Sequence, residues 1–157
     1  MGVMGEEIER KFLVATEGWR ETAEGTRYRQ GFLSTEPERT VRVRVAGPRG
    51  SITVKGKNVG ARRAEFEYEI PVADAERMLD TLCKHPLIEK VRYTVAVAPH
   101  TWEIDVFEGE NAGLVVAEIE LRSEHEAFDK PEWVGDEVTG DPRYFNSNLV
   151  SNPYQTW

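Results

Sequence analysis

At 157 residues, 39% of them apolar and 31% charged, the chain is long enough for one hydrophobic core, and residues 1–157 are expected to form a single domain. A net charge of −8 argues against nucleic acid or an anionic membrane surface as partner, since both are gripped through accumulated Lys and Arg. Cys83 is the only cysteine, which precludes an intramolecular disulfide; with no apolar run of secretory length and no stretch near the ~18 apolar residues of a membrane helix, the expected location is the cytoplasm.

Alternating apolar and charged residues predict eight strands, near residues 6–14, 26–33, 39–46, 50–57, 63–70, 89–97, 101–107 and 114–122. In the first, Glu7, Glu9 and Lys11 share one face while Ile8, Arg10 and Phe12 share the other, because side chains alternate along a strand. Thr16 to Glu24 reads as a short helix packing Trp19. In the second strand Arg27 and Arg29 fall either on the outer face or at a tunnel mouth. Val41-Arg42-Val43-Arg44-Val45 sets two guanidiniums on one face, and Gly47-Pro48-Arg49-Gly50 turns the chain back. Ala64-Glu65-Phe66-Glu67-Tyr68 repeats the alternation with acids. Behind Pro71, the helical spacing of Val72, Ala75, Met78, Leu79 and Leu82 predicts an amphipathic helix, with Cys83 in its core. Gly109-Glu110-Asn111-Ala112-Gly113 closes another hairpin, and Ala117-Glu118-Ile119-Glu120-Leu121 carries the last acidic face. Asp141-Pro142-Arg143-Tyr144 marks a second helix start with Asp141 as cap, whose Tyr144, Phe145, Leu149 and Val150 need a surface to cover. His85, His100 and His125 lack metal-ligand spacing and read as surface residues.

Any one such charged face is ordinary, and a sandwich with apolar rows inside would share the pattern. Taken together, the faces predict the inverse: a closed or nearly closed eight-stranded antiparallel barrel, of α+β class with a few flanking helices, apolar outside and charged within. Its lumen would be lined by Glu7, Glu9, Lys11, Arg42, Arg44, Lys55, Arg63, Glu65, Glu67, Lys90, Arg92, Glu103, Asp105, Glu118 and Glu120. Carboxylates crowded in this way repel one another unless protons or a cation intervene, and oxygen ligands without His or Cys favour Mg²⁺, Mn²⁺ or Ca²⁺ over Zn²⁺. The arginines can fork onto phosphate oxygens and the lysines add point charges, so the lining suits a nucleotide or polyphosphate.

In this order the motifs resemble the CYTH, or triphosphate tunnel metalloenzyme, family. Glu7-x-Glu9-x-Lys11 matches its opening signature. Arg42-x-Arg44, Lys55, Arg63-x-Glu65-x-Glu67, Lys90-x-Arg92 and Glu118-x-Glu120 follow, and the segments Glu137 to Asp141 and Tyr144 to Asn146 look like the close of short bacterial members. The resemblance implies hydrolysis of triphosphate compounds, most simply inorganic tripolyphosphate, with Mg²⁺ or Mn²⁺. It places Arg42, Arg44, Lys55, Arg63 and Arg92 on the triphosphate with Lys11 beside it. Glu7, Glu9, Glu118 and Glu120 would hold metal, and Glu65, Glu67 and Asp105 would complete the metal shell or orient waters. Lys90 becomes the candidate for activating water, since burial among cations lowers a lysine's pKa, and Lys11 and Lys90 are the catalytic pair. Adenylate cyclase and thiamine-triphosphatase share the scaffold, a polyphosphate or nucleotide receptor without turnover is the non-enzymatic option, and an outer-membrane barrel is the least favoured. A homodimer is left open.

Overall fold

The computed structural model describes residues 5–157. Nine strands are present among them: β1 (Glu6–Val14), β2 (Glu24–Glu36), β3 (Arg39–Ala46), β4 (Arg49–Lys55), β5 (Arg62–Ile70), β6 (Ile88–Val97), β7 (His100–Phe107), β8 (Val115–Glu120) and β9 (Val134–Glu137). The sheet runs β5-β4-β3-β2-β6-β7-β8-β1-β9, and a further β1–β5 pairing closes the first eight strands into an antiparallel barrel. The seam is short. β5 pairs with β1 only from Glu6 to Ile8, after which β9 takes the same edge opposite Phe12 and Val14. The alternation does not announce β9, because Val-Gly-Asp-Glu has a glycine and two acids where strand formers would stand.

The outer wall is apolar, as the alternation predicts, and four separate covers bury most of it. The helix α1 (Val72–Thr81) lays Ala75 and Leu79 over Val43 and Val45. Gly50 permits the close approach, since a Cβ there would stand 2.9 Å from that of Ala75. A 3₁₀ turn at Gly18–Thr22, shorter than the predicted helix, buries Trp19 against Tyr93. The stretch before β9 sets Phe128 and Trp133 edge-on against Trp102. Near the C-terminus Tyr144, Leu149 and Val150 pack with Ile88, Phe107 and Val116.

One stretch of the wall stays bare, and two expectations need correction. The β4–β5 wall is not covered: Val54, Phe66 and Tyr68 are 39%, 48% and 61% exposed, because α1 reaches only the Gly50 end of these strands. Nor is His100 a surface residue; it is half-buried, with Nε2 2.6 Å from Glu126 Oε2. The helix expected after Asp141 is two pieces, a 3₁₀ turn at Pro142–Tyr144, where Asp141 accepts from the Arg143 N–H, and α2 (Asn146–Leu149). Phe145 between them is extended, which turns this segment toward the barrel interior. Among the described residues no helix is long and apolar enough to cross a membrane.

Candidate active site

Antiparallel alternation brings the C-terminal ends of β1, β2, β4 and β7 to one end of the barrel, together with the N-terminal ends of their neighbours. That end is shut. Lys90 and Gln30 are fully buried there, and Phe145, Asn146 and Ser147 line the cavity beside them. The other end opens at Glu67, Glu103 and Glu120, all exposed or nearly so. Between them lies a cavity of about 290 Å³, near the lower limit for small-molecule sites.

Seven acids line it, Glu7, Glu9, Glu65, Glu67, Glu103, Glu118 and Glu120, and seven bases, Lys11, Arg42, Arg44, Lys55, Arg63, Lys90 and Arg92. Every residue expected in the lumen is therefore in the wall except Asp105. That carboxylate lies beneath it, buried, accepting from Lys90 Nζ at 2.7 Å and from Arg92 Nε and Nη2 at 2.7 and 2.9 Å. Burial opposes its charge, but Arg92 and Lys90 outweigh this and hold its carboxyl far below the usual range. With both oxygens bonded to two cations, Asp105 is a support for Lys90 and Arg92 beneath the wall.

Tyr28, Gln30, Thr40 and Asn146 were not singled out by charge alternation, because they carry no charge. In β2 the pattern is inverted, with arginines outside and the aromatic and amide groups inside. Arg27 pairs outside with Glu108 at 2.8 Å, and Arg29 lies 3.7 Å from Asp80 and from Glu89. Inside, the Tyr28 ring carries the guanidiniums of Arg44 and Arg92 at 4.6 and 5.1 Å, a cation–π arrangement.

The charges inside are not matched pair by pair. Some are satisfied: Lys55 lies 3.1 Å from Glu7 and 3.2 Å from Glu65, Lys11 3.4 Å from Glu118, and Arg92 2.9 Å from Glu118. Burial works against the charge on Glu7, but Lys55 outweighs it and the pKa is lowered. Glu118 is held low in the same way by Lys11 and Arg92. Others are left over. Among the described residues Glu9 has no ion-pair partner, and burial together with Glu118 and Glu7 raises its carboxyl well above the usual range. Glu65 and Glu120 are raised too, each by burial and then by Glu7.

Of the cations, Arg44 meets only a neutral amide among the described residues, Gln30 at 2.9 Å, and burial with Arg42 and Arg92 lowers its pKa to about 9. Arg63 bonds Gly56 O and Thr40 Oγ1 without a carboxylate, and burial lowers its pKa as well. Arg42 reaches Glu67 at 3.2 Å, yet its Nε is buried with no partner at all. Lys90, almost wholly buried, is brought by that burial to a pKa of about 7.

Excess carboxylates and excess guanidiniums thus share one bore without neutralising each other. An anion alone would relieve one wall and aggravate the other; an anion that carries its own cation relieves both. The donor set fits a hard divalent ion. Glu9, with Glu7, Glu118 or Glu120, offers only oxygen ligands. Among the described residues no three acidic, His or Cys side chains are already gathered as a metal cage. That accords with Mg²⁺ chemistry, in which one or two carboxylates combine with waters and substrate phosphates.

A closed antiparallel tunnel with a wall of this kind defines a protein that binds small, highly charged polyanions. The family model for the CYTH domain matches residues 5–151, and the chain belongs to that family. An inorganic triphosphatase of Acetivibrio thermocellus is 53% identical over 154 residues, 98% of this chain and 99% of its own length. An inorganic triphosphatase of Nitrosomonas europaea is 39% identical over 92% of this chain and 96% of its own. A crystal structure of an inorganic triphosphatase superposes with a TM-score of 0.64 at 36% identity, covering 92% of this chain and 93% of that one.

Proposed function

We propose that residues 1–157 form one tunnel domain that hydrolyses inorganic triphosphate, with Mg²⁺ or Mn²⁺, to pyrophosphate and orthophosphate. The observation that carries this reading is the coexistence in one bore of Glu9, whose carboxyl is raised by burial and by Glu118 and Glu7, with Arg42 and Arg44, whose guanidiniums are lowered by burial, Arg44 meeting only a neutral amide. Support for the inorganic substrate comes from the relatives' activity and from the wall itself. The Tyr28 ring, one of the aromatics lining the bore with Phe32 and Phe145, is already occupied by two guanidiniums and is not a free platform for a nucleobase.

In this reading Arg42, Arg44, Arg63 and Arg92, with Lys11 and Lys55, hold the phosphate oxygens and align the terminal phosphorus for in-line attack. Glu9, with Glu7, Glu118 and Glu120, would hold the divalent ion, and Glu65 and Glu67 would orient waters beside it. When bound, that ion neutralises phosphate oxygens and makes the phosphorus more electrophilic. Lys90, with a pKa of about 7, is half free amine at neutral pH and takes a proton from the attacking water. The water oxygen bonds to the terminal phosphorus, the bridging P–O bond breaks, and its electron pair leaves on pyrophosphate. Phosphate release from tripolyphosphate and from ATP, each with Mg²⁺ or Mn²⁺, tests the proposal. Fast release from tripolyphosphate is expected, and tight binding with no phosphate, pyrophosphate or cyclic nucleotide formed would refute it.

A further inference from the structure

We propose that Asn146, at the start of α2, is the positioning residue that aims the Lys90 amine into the bore, and so makes the C-terminal segment a working part of the site. The inference rests on the triphosphatase reading above.

The amide's orientation is fixed by a chain of bonds with only one consistent direction. Arg44 has donors and no acceptor, so its Nε must donate to Gln30 Oε1, at 2.9 Å. The oxygen end of Gln30 therefore faces Arg44, and its NH₂ end faces Asn146, donating to Oδ1 at 2.7 Å. Asn146 in consequence turns an oxygen, not an NH₂, toward Lys90, whose Nζ donates to that same Oδ1 at 2.8 Å. Both lone pairs of Oδ1 are then used.

Consider Lys90 from the nitrogen's side. Nζ donates to Asp105 Oδ2 at 2.7 Å and to Asn146 Oδ1 at 2.8 Å. A neutral amine has two N–H bonds and one lone pair. With both N–H groups committed to fixed acceptors, one on β7 and one on α2, the lone pair is left to the remaining direction, which is the cavity. Without Asn146 the amine is held by Asp105 alone and can rotate about that single bond, turning its lone pair away from a water in the bore. The sequence supports a built arrangement: Phe145 is extended so that the chain breaks between the 3₁₀ turn and α2, and this break delivers Asn146 to Lys90. The same chain links Arg44, a residue proposed to grip phosphate, to the base.

The variants Asn146→Ala and Asn146→Asp test this in the full chain. Asn146→Ala is expected to lower kcat on tripolyphosphate by ~10- to 100-fold while KM changes less than about threefold, since a misdirected base is a loss of alignment and not of binding. Asn146→Asp restores an acceptor oxygen but places a carboxylate beside Lys90, in addition to Asp105 on β7, Glu118 on β8, Arg92 on β6 and Arg44 on β3. It favours the ammonium, so the ascending limb of kcat should move up by about one pH unit or more. A residue that merely stapled the C-terminus would lower thermal stability and leave that limb where it is.

The Lys90 ¹³Cε resonance, titrated without substrate, should shift upward in pKa in Asn146→Asp whether or not turnover occurs. An unmoved limb and an unmoved Lys90 titration, or wild-type kcat in Asn146→Ala, would overturn the inference. Wild-type protein that releases no phosphate would instead overturn the triphosphatase reading, with the NMR titration still deciding whether Asn146 holds Lys90.

Discussion

Two clusters of charge in the same bore have opposite characters. In the corner of Lys90, Arg92 and Asp105, every carboxylate oxygen is met by a donor at 2.7 to 2.9 Å. Elsewhere in the bore, among the described residues, Glu9 has no ion-pair partner and the Arg42 Nε has no acceptor. The first cluster is what a fold builds when buried charge must be supported by the protein alone. The second is left incomplete by the protein and is completed by a ligand. The difference separates Asp105, whose oxygens serve to hold Lys90 and Arg92 in place, from the groups left for a ligand, although all of them look alike as charged positions on alternating strands.

That comparison is open to attack by mutation, beginning where the largest effect is expected. Asp105→Ala strips a buried carboxylate from two cations and should cost about 3–5 kcal/mol, since breaking one side of a buried pair strands the other. For a chain of this size the loss corresponds to a drop in Tm on the order of 10 °C in ligand-free protein, readable by calorimetry or circular dichroism. Arg44→Ala should behave in the opposite way: the free fold is little changed, but removing a charge-assisted contact of about 1.5–3 kcal/mol raises KM for tripolyphosphate roughly 10- to 100-fold.

Glu9→Gln sharpens the contrast through pH. Because the folded pKa of Glu9 is raised, its protonated form is the favoured one. The stability it contributes is present below the unfolded value of about 4.5 and is lost as pH rises through the folded value. Ligand-free Glu9→Gln should therefore be more stable than wild type at neutral pH and lose that advantage in acid, while its metal-dependent turnover collapses. Denaturant melts at pH 4 and pH 7.5 check this. The smallest effect belongs to the outer wall. Tyr68→Ser, on the exposed face of β5, should change stability by no more than about 0.5 kcal/mol and leave kcat and KM alone.

The barrel and most of its lining were legible in the sequence because period-two alternation states which side chains share a face, and charges mark that face plainly. Arg42-x-Arg44 and Glu7-x-Glu9-x-Lys11 could be placed by that rule alone. What alternation does not state is which charges pair. Asp105 has the same inward parity as Glu103, yet its register opposite Arg92 buries it beneath the wall, where it serves cations. Uncharged members were hidden for a related reason. Gln30 and Tyr28 sit on the inner face of a strand whose charges, Arg27 and Arg29, point outward, so the charge rule could not mark the inner side of β2. Asn146 comes from a segment with no periodicity to read, and only the extended Phe145 brings it to the bore. The bare β4–β5 wall was likewise invisible, since an apolar row predicts burial whether or not a cover exists.

Calorimetric titration with a non-hydrolysable imido-bridged triphosphate, in the presence and absence of Mg²⁺, is the most direct test of a bore that needs both signs of charge at once. The metal alone and the anion alone should bind weakly, and the two together should bind far more tightly than the product of their separate effects. Equally tight binding of the anion with Mg²⁺ removed by chelation would mean that the carboxylate wall plays no part in holding the ligand.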